Sequence, residues 1–319
     1  MATAISNKPT DHRGDEGFES ADPHPKPGFL GGLKEIYYEF SNDDVMTQSA
    51  ALAFYSGLAF APLMTVAVWA TKVFFGPESK MKVVDAFKAV IGPQAAEPLK
   101  QLLDPASKQA GASMTVAGII SIVLVIFSAS GVFGQLQAAL NAIWHVEAKP
   151  SSGMMGFIRK RLLSMGMLMS ILFLLMVSLV ISTMIQGVVG TSGDDTSVVI
   201  DILQNVVSVG IFTALFALLF KYVPDAKISW RPVWMGGFIS AVLFVIGKFG
   251  LSIYLGRGSY ENSYGVAVGS FVALLVWVYY SSIILLVGAE ATEVYARRHG
   301  ERLQPSEHAV RVEKKTEPA

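Results

Sequence analysis

A handful of charged and amide side chains sit where the surrounding sequence is apolar. Lys248 interrupts the stretch Val233–Leu255, flanked by Gly247 and Gly250. It lies seven residues from the end of that stretch, on the order of 10 Å along a helix. Asp201 and Glu261 fall at similar heights on neighbouring segments, so either carboxylate is placed to pair with the Lys248 ammonium. Snorkelling of the amine to an interface is the structural alternative. Glu290 falls near the opposite end of a later stretch, three residues from Glu293 and close to Arg297. That grouping also reads as an ordinary charge pair at a helix end. Gln135, Gln137 and Asn141 cluster with Gly131 and Gly134 at the end of another stretch. Such amides hydrogen-bond across helices or line a cavity. Charge in a nonpolar setting is costly and marks a candidate functional site.

Signatures of catalysis are missing. His12, His24, His145, His299 and His308 are dispersed without metal-ligand spacing. The chain has no cysteine, which excludes disulfides, thiolate catalysis and Cys-ligated zinc. No Gly-rich phosphate loop with Lys and Ser/Thr occurs, which argues against ATP-driven transport by this chain alone. There is no Gly-x-Ser-x-Gly elbow either. The expectation is a non-enzyme with no catalytic residue, no metal site and no cofactor. Net formal charge is zero, so nucleic acid is not an expected partner.

The elements that must position these residues are six long apolar stretches: Val45–Phe75, Met114–Ala138, Leu162–Gln186, Val198–Lys221, Val233–Leu255 and Val266–Val294. About 20 apolar residues span a hydrocarbon core of ~30 Å, and lipid forces such segments into helices. The chain is 52% hydrophobic and 16% charged, with a mean hydropathy of +0.48. The reading is all-α: an integral membrane bundle of six transmembrane helices with short interfacial helices, over residues 29–297. Residues 1–28 are polar, carry Pro23, Pro25 and Pro27, and read as a disordered tail. They have no apolar signal-peptide core, so the first span is expected to act as its own insertion signal. Residues 298–319 read as a charged tail, frayed beyond Arg302.

Loop charges predict orientation. With both termini inside, inner segments hold 17 Lys and Arg and outer loops hold six. Five of those six lie in the loop 76–113, interleaved with Glu78, Asp85, Glu97 and Asp104. Both termini are therefore expected in the cytoplasm. The apolar faces Val83, Val84, Phe87, Val90, Ile91 and Leu99, Leu102, Leu103 predict two short helices in that loop. Phe29, Leu30, Leu33, Ile36, Tyr37 and Phe40 predict an amphipathic helix on the inner face. Ser41, Asn42, Asp43 and Asp44 then form a cluster of helix-capping residues.

Small residues recur four apart: Ser49, Ala53, Gly57 and Ala61, then Ser130, Gly134, Ala138 and Ala142, then Gly265, Gly269 and Ala273. Such stripes let helix backbones approach closely. Pro62, inside the first stretch, is expected to kink it.

With this layout in place, several strings resemble one family. Ser49-Ala50-Ala51-Leu52-Ala53-Phe54-Tyr55 and Ala138-Ala139-Leu140-Asn141-Ala142-Ile143-Trp144 are similar to strings of the YihY/BrkB family of bacterial membrane proteins. So are Arg159-Lys160-Arg161-Leu162-Leu163, Tyr222-Val223-Pro224-Asp225, Gly247-Lys248, Ser259-Tyr260, Tyr264-Gly265 and Gly288-Ala289-Glu290, in order across residues 35–297. The resemblance implies a six-helix protein of the bacterial inner membrane. It also carries an old label, ribonuclease BN, and an association with virulence. A nuclease needs clustered metal ligands or a basic groove, so tRNA processing is disfavoured. Two readings remain: transport or flipping of an envelope lipid or amphipathic solute, with membrane lipids as partners, or a non-transporting scaffold that binds an envelope-assembly protein through 76–113. Substrate, coupling ion and oligomeric state are not legible in the sequence.

Overall fold

The computed structural model of the chain describes residues 28–76, 81, 83–85, 116–148, 197–257, 266–301, 304–306 and 309–311. It is mostly helical. A short helix α1 (Phe29–Asn42) precedes five long ones: α2 (Val45–Phe75), α3 (Val116–Ile143), α4 (Ser197–Tyr222), α5 (Trp230–Arg257) and α6 (Val266–Arg298). The stretch Leu162–Gln186 lies outside the described residues, as do Glu261, Gly265 and most of 76–113. Residues 81 and 83–85 of that loop are helical, with Val83 and Val84 buried. Among the described residues, Trp230–Gly250 and Phe271–Arg298 are long and apolar enough to cross a membrane, and Val206–Tyr222 is a shorter apolar helix.

The long helices pack in the order α3, α2, α6, α5, α4, and α1 lies across α6. Their core gathers at one end. There the starts of α2 and α5 meet the ends of α3, α4 and α6, and Val45, Leu140, Phe220, Val233 and Leu286 are fully buried. Aromatic edges knit this end together: Trp144 meets Phe220 at 6.3 Å, and Phe244 meets Trp277 at 5.4 Å. α2 runs unbroken through Pro62.

Glycine spacing sets how closely the helices approach. Gly236 and Ser240 on α5 face Gly288 and Thr292 on α6, so tightly that a Cβ at Gly288 would stand 3.0 Å from the Gly236 carbonyl and overlap Ser240 Oγ. Thr292 turns its hydroxyl inward to its own helix, donating to Gly288 O at 2.8 Å. On the other face of α5, a Cβ at Gly237 would stand 2.8 Å from Thr213 O of α4. Gly57 of α2 faces Leu275 and Phe271 of α6, flanked by buried Ser49 and Ala53. Gly269 is buried as well. The stripe on α3 behaves differently. Gly134 and Ala138 are exposed, and nothing described lies within 4 Å of a Cβ at Gly134. Gly131 instead meets the Tyr55 ring, because Gln135, one turn on, is tied to α2 and fixes the rotation of the helix.

The mostly helical fold agrees with the all-α expectation, with two short strand pairs added at the core end, and the chain beyond Arg302 is not all frayed. β1 (Val146–Ala148) pairs antiparallel with β4 (Ala309–Arg311), and β2 (Ala226–Lys227) pairs with β3 (Gln304–Pro305). The loops leaving α3 and α4 present unpaired backbone groups, and the returning tail satisfies them. Segments this short carry no readable periodicity, which is why the sequence did not announce them.

α1 is amphipathic in an unusual sense. Its apolar Leu30, Leu33, Tyr37 and Tyr38 are exposed, while Glu35 and Glu39 turn toward α6. A helix lying in a membrane interface presents its faces in that way.

Candidate functional site at the sheet end of the bundle

Three polar joints hold the core end closed, and each links separate elements. The first joins α3 to α2: Gln135 Nε2 donates to Gln48 Oε1 at 2.8 Å. The second centres on Asp225, in the turn after α4. Its Oδ2 accepts from Gln137 Nε2 and from Asn141 Nδ2, both at 3.0 Å, and its own N–H donates to Asn141 Oδ1 at 2.8 Å. Ser306 N–H then donates to Asp225 O at 2.8 Å, tying the returning tail to the same residue. Asn141 is 8% exposed, so this pairing is sheltered from competing water. Two of the amides thus meet a carboxylate, and the third meets another amide.

The third joint is ionic. Arg297 on α6 reaches Glu35 at 2.5 Å and Glu39 at 3.0 Å on α1, and Glu293 on its own helix at 3.7 Å. Arg298 reaches Glu35 at 2.7 Å and donates to Gly28 O at 3.1 Å. Behind these pairs lies a layer of buried carboxyls. Glu290 is 1% exposed, and Asp43, in the turn between α1 and α2, and Glu293 are buried with it. Among the described residues, no N–H or O–H donor reaches Glu290 Oε1 or Glu293 Oε2. Asp44, beside Asp43, takes a left-handed φ of 49°, and its C=O accepts the first helical hydrogen bond of α2, from Gln48 N–H.

Lys248 sits apart from these joints. It is half-buried on α5, its Nζ 5.6 Å from the centre of the Phe249 ring. The expected pairing concerns Glu261 and the side chain of Asp201, which lie outside the described residues. Asp225 is the site residue that the reading by residue type missed. Its signal was present, since Tyr222-Val223-Pro224-Asp225 is one of the strings that carries the family resemblance. Among the described residues no three His, Cys, Asp or Glu side chains are arranged to hold a metal ion.

The family model described as virulence factor BrkB matches residues 36–313. The chain belongs to the BrkB family. The match takes in every joint residue except Glu35 and Gly28, and it extends through the tail strands. Curated relatives agree. A UPF0761 membrane protein of Methylibium petroleiphilum is 27% identical over 82% of this chain and 61% of its own length. One of Pseudoalteromonas translucida is 28% identical over 79% of this chain and 81% of its own. One of Albidiferax ferrireducens is 30% identical over 81% and 59%. The chain spans about three fifths of the length of the first and third of these relatives. No solved structure matches it. This BrkB-family chain is thus a membrane protein, and its polar joints lie inside the matched region.

Proposed function

We propose that this BrkB-family protein moves an amphipathic solute, such as an envelope lipid, across the bacterial inner membrane without hydrolysing ATP itself. The observation that carries the reading is Glu290, an almost fully buried carboxyl on a helix apolar enough to cross a membrane, one turn from the buried carboxyl of Glu293. Ionisable groups held inside a membrane bundle are expensive and mark pathways and relays. The joints around it fit a gate: hydrogen bonds and ion pairs between separate elements can be exchanged for water at little net cost, where an apolar seal cannot. In this reading the described conformation is the one closed at the cytoplasmic end. The protein is a bundle of six spans with the stretch Leu162–Gln186 as its third, it is not an enzyme, and its partners are membrane lipids.

The test is reconstitution into vesicles carrying fluorescent lipids in one leaflet. Translocation above protein-free vesicles, reduced in Glu290→Gln at equal protein load, is the expected result. Translocation equal to that of empty vesicles for every lipid tried, with lipids copurifying in bulk-membrane proportions, would remove the transport reading. The second reading, a scaffold for envelope assembly binding through 76–113, is favoured by the solid packing of the described core end.

Orientation follows from the basic-residue bias, with both termini cytoplasmic and 76–113 outside. Gln94→Cys should react with an impermeant maleimide in intact spheroplasts, and Ser152→Cys should not. Reversed labelling would overturn the orientation.

A further inference from the structure

The exposed side of α5 changes character along its length. Trp230, Trp234 and Phe238, four residues apart, are exposed, and so are Ile246, Phe249 and Ile253 further on. At helical spacing these residues share one side of the helix. Gly236, Gly237 and Ser240, on the other side, make the contacts to α6 and α4. The exposed side thus begins in indoles, which carry a polar handle, and continues in side chains that have none. Trp and Tyr gather at the headgroup level of a bilayer, because one end of the ring system is apolar and the other suits water. Trp230–Gly250 is long and apolar enough to cross a membrane. Its Trp end therefore falls at the headgroups of the leaflet on the sheet side, with Ile246 and Phe249 among acyl chains. The exposed rings of Tyr37 and Tyr38 on α1, at the same end of the bundle, fit that level.

The aromatic corner is also held in place. Tyr222 meets Trp230 edge to face, with ring centroids 6.3 Å apart, and Trp234 lies 6.5 Å from Trp230. Lys221 Nζ stands 5.4 Å from the centre of the Trp230 ring and donates to Ile228 O, which ties the end of α4 to the start of α5. The Asp225 carboxylate between them accepts from Gln137 and Asn141. Lys227 and Arg231, on either side of Trp230 in the chain, are exposed. Arg231 lies in the first turn of α5, where the helix dipole disfavours a cation, so its charge does not serve that helix. From this juxtaposition we infer that the start of α5 is a docking surface for an anionic phospholipid of the leaflet on the sheet side. Lys227 and Arg231 meet the charged headgroup, the Tyr222, Trp230 and Trp234 rings lie at the level of the glycerol, and the acyl chains run along Phe238 toward Ile253. Charge complementarity, and continuity with the side of α5 that enters the bilayer, select a lipid over a protein partner. The inference rests on the transport reading for a lipid partner and adds the class of headgroup.

The experiment has two readouts on the full chain. Native mass spectrometry in detergent, titrated separately with phosphatidylglycerol and phosphatidylethanolamine, reads the preference. Each Lys or Arg near an anionic surface strengthens attraction roughly fivefold, so wild type should retain phosphatidylglycerol on the order of tenfold better. Lys227→Gln with Arg231→Gln should bring the two lipids close to parity, and Lys227→Arg with Arg231→Lys should keep the preference. Equal retention by wild type, or a preference untouched by the paired Gln substitutions, would overturn the surface. In lipid nanodiscs, tryptophan fluorescence reads the depth. The emission lost on Trp230→Phe with Trp234→Phe should be quenched more by lipid with a nitroxide on its headgroup than by lipid labelled in mid-chain. Stronger quenching by the mid-chain label would overturn the assigned level. Quenching by neither would show the face covered by protein, such as a second copy of this chain, and would overturn the lipid as occupant. The preference with no translocation would leave the surface standing and remove the transport reading, and translocation without the preference would do the reverse.

Discussion

Gly288→Val should destabilise the protein by about 3 kcal/mol or more, the upper part of the range for overpacking a closed contact. A side chain at this position meets Ser240 Oγ at once and stands 3.0 Å from the Gly236 carbonyl. Ser240 is fully buried and donates to Ile284 O at 3.4 Å, so it has nowhere to retreat. The carbonyl belongs to the backbone of α5 and moves only if the helix moves. Because α5 also packs on α4 through Gly237, separating α5 from α6 disturbs both seams. In membrane bundles such close approach is a main source of helix association, since lipid tails are as apolar as the side chains. Gly134→Ala is the matched comparison. Its surroundings are open among the described residues, and replacing a helical glycine there should gain a few tenths of a kcal/mol to about 1 kcal/mol. Thermal unfolding followed by fluorescence-detected gel filtration reads both. Equal melting temperatures for Gly288→Val and wild type would refute the tight α5–α6 seam.

Asn141→Leu should cost about 2–4 kcal/mol, the second large effect. The substitution removes one hydrogen bond to the Asp225 carboxylate and one from its backbone N–H. Bonds to charged groups contribute ~1.5–3 kcal/mol, and a buried donor left unpaired adds its desolvation cost. Gln137 still reaches Asp225 Oδ2, which keeps the loss from growing further. The same residue anchors the tail through Ser306, so the second readout is protease access. Cleavage after Arg311 should accelerate in Asn141→Leu, and more so than in Gln137→Leu. If Asn141→Leu left both stability and tail protection unchanged, the Asp225 joint would contribute nothing to closing this end. Asn141→Asp tests the sign of the interaction, because a second carboxylate opposite Asp225 should destabilise rather than substitute.

Much of this molecule is written in local composition. Long apolar runs leave a backbone no option in lipid except helix, so the membrane class and the helices α2, α4, α5 and α6 follow from residue type and length. The spacing of Phe29–Phe40 likewise defines α1, and short strings such as Gly288-Ala289-Glu290 carry the family. Rotation and partnership are not local. Gly131 and Gly134 are equivalent by type and lie three residues apart, yet one packs on Tyr55 and the other meets no described residue within 4 Å. The Gln135–Gln48 hydrogen bond, spanning 87 residues, decides between them. Glu290 and Asp43 lie on segments far apart in the chain, so no spacing rule joins them, and the same holds for Asn141 and Asp225. The tail strands are the clearest case. Two or three residues hold no periodic signal, and their structure exists because the loops after α3 and α4 offer unpaired backbone groups that only the folded bundle brings within reach. Lipid chemistry thus determines the helices from sequence alone, while hydrogen-bond partners supplied by distant segments decide which faces meet and where the polar site closes.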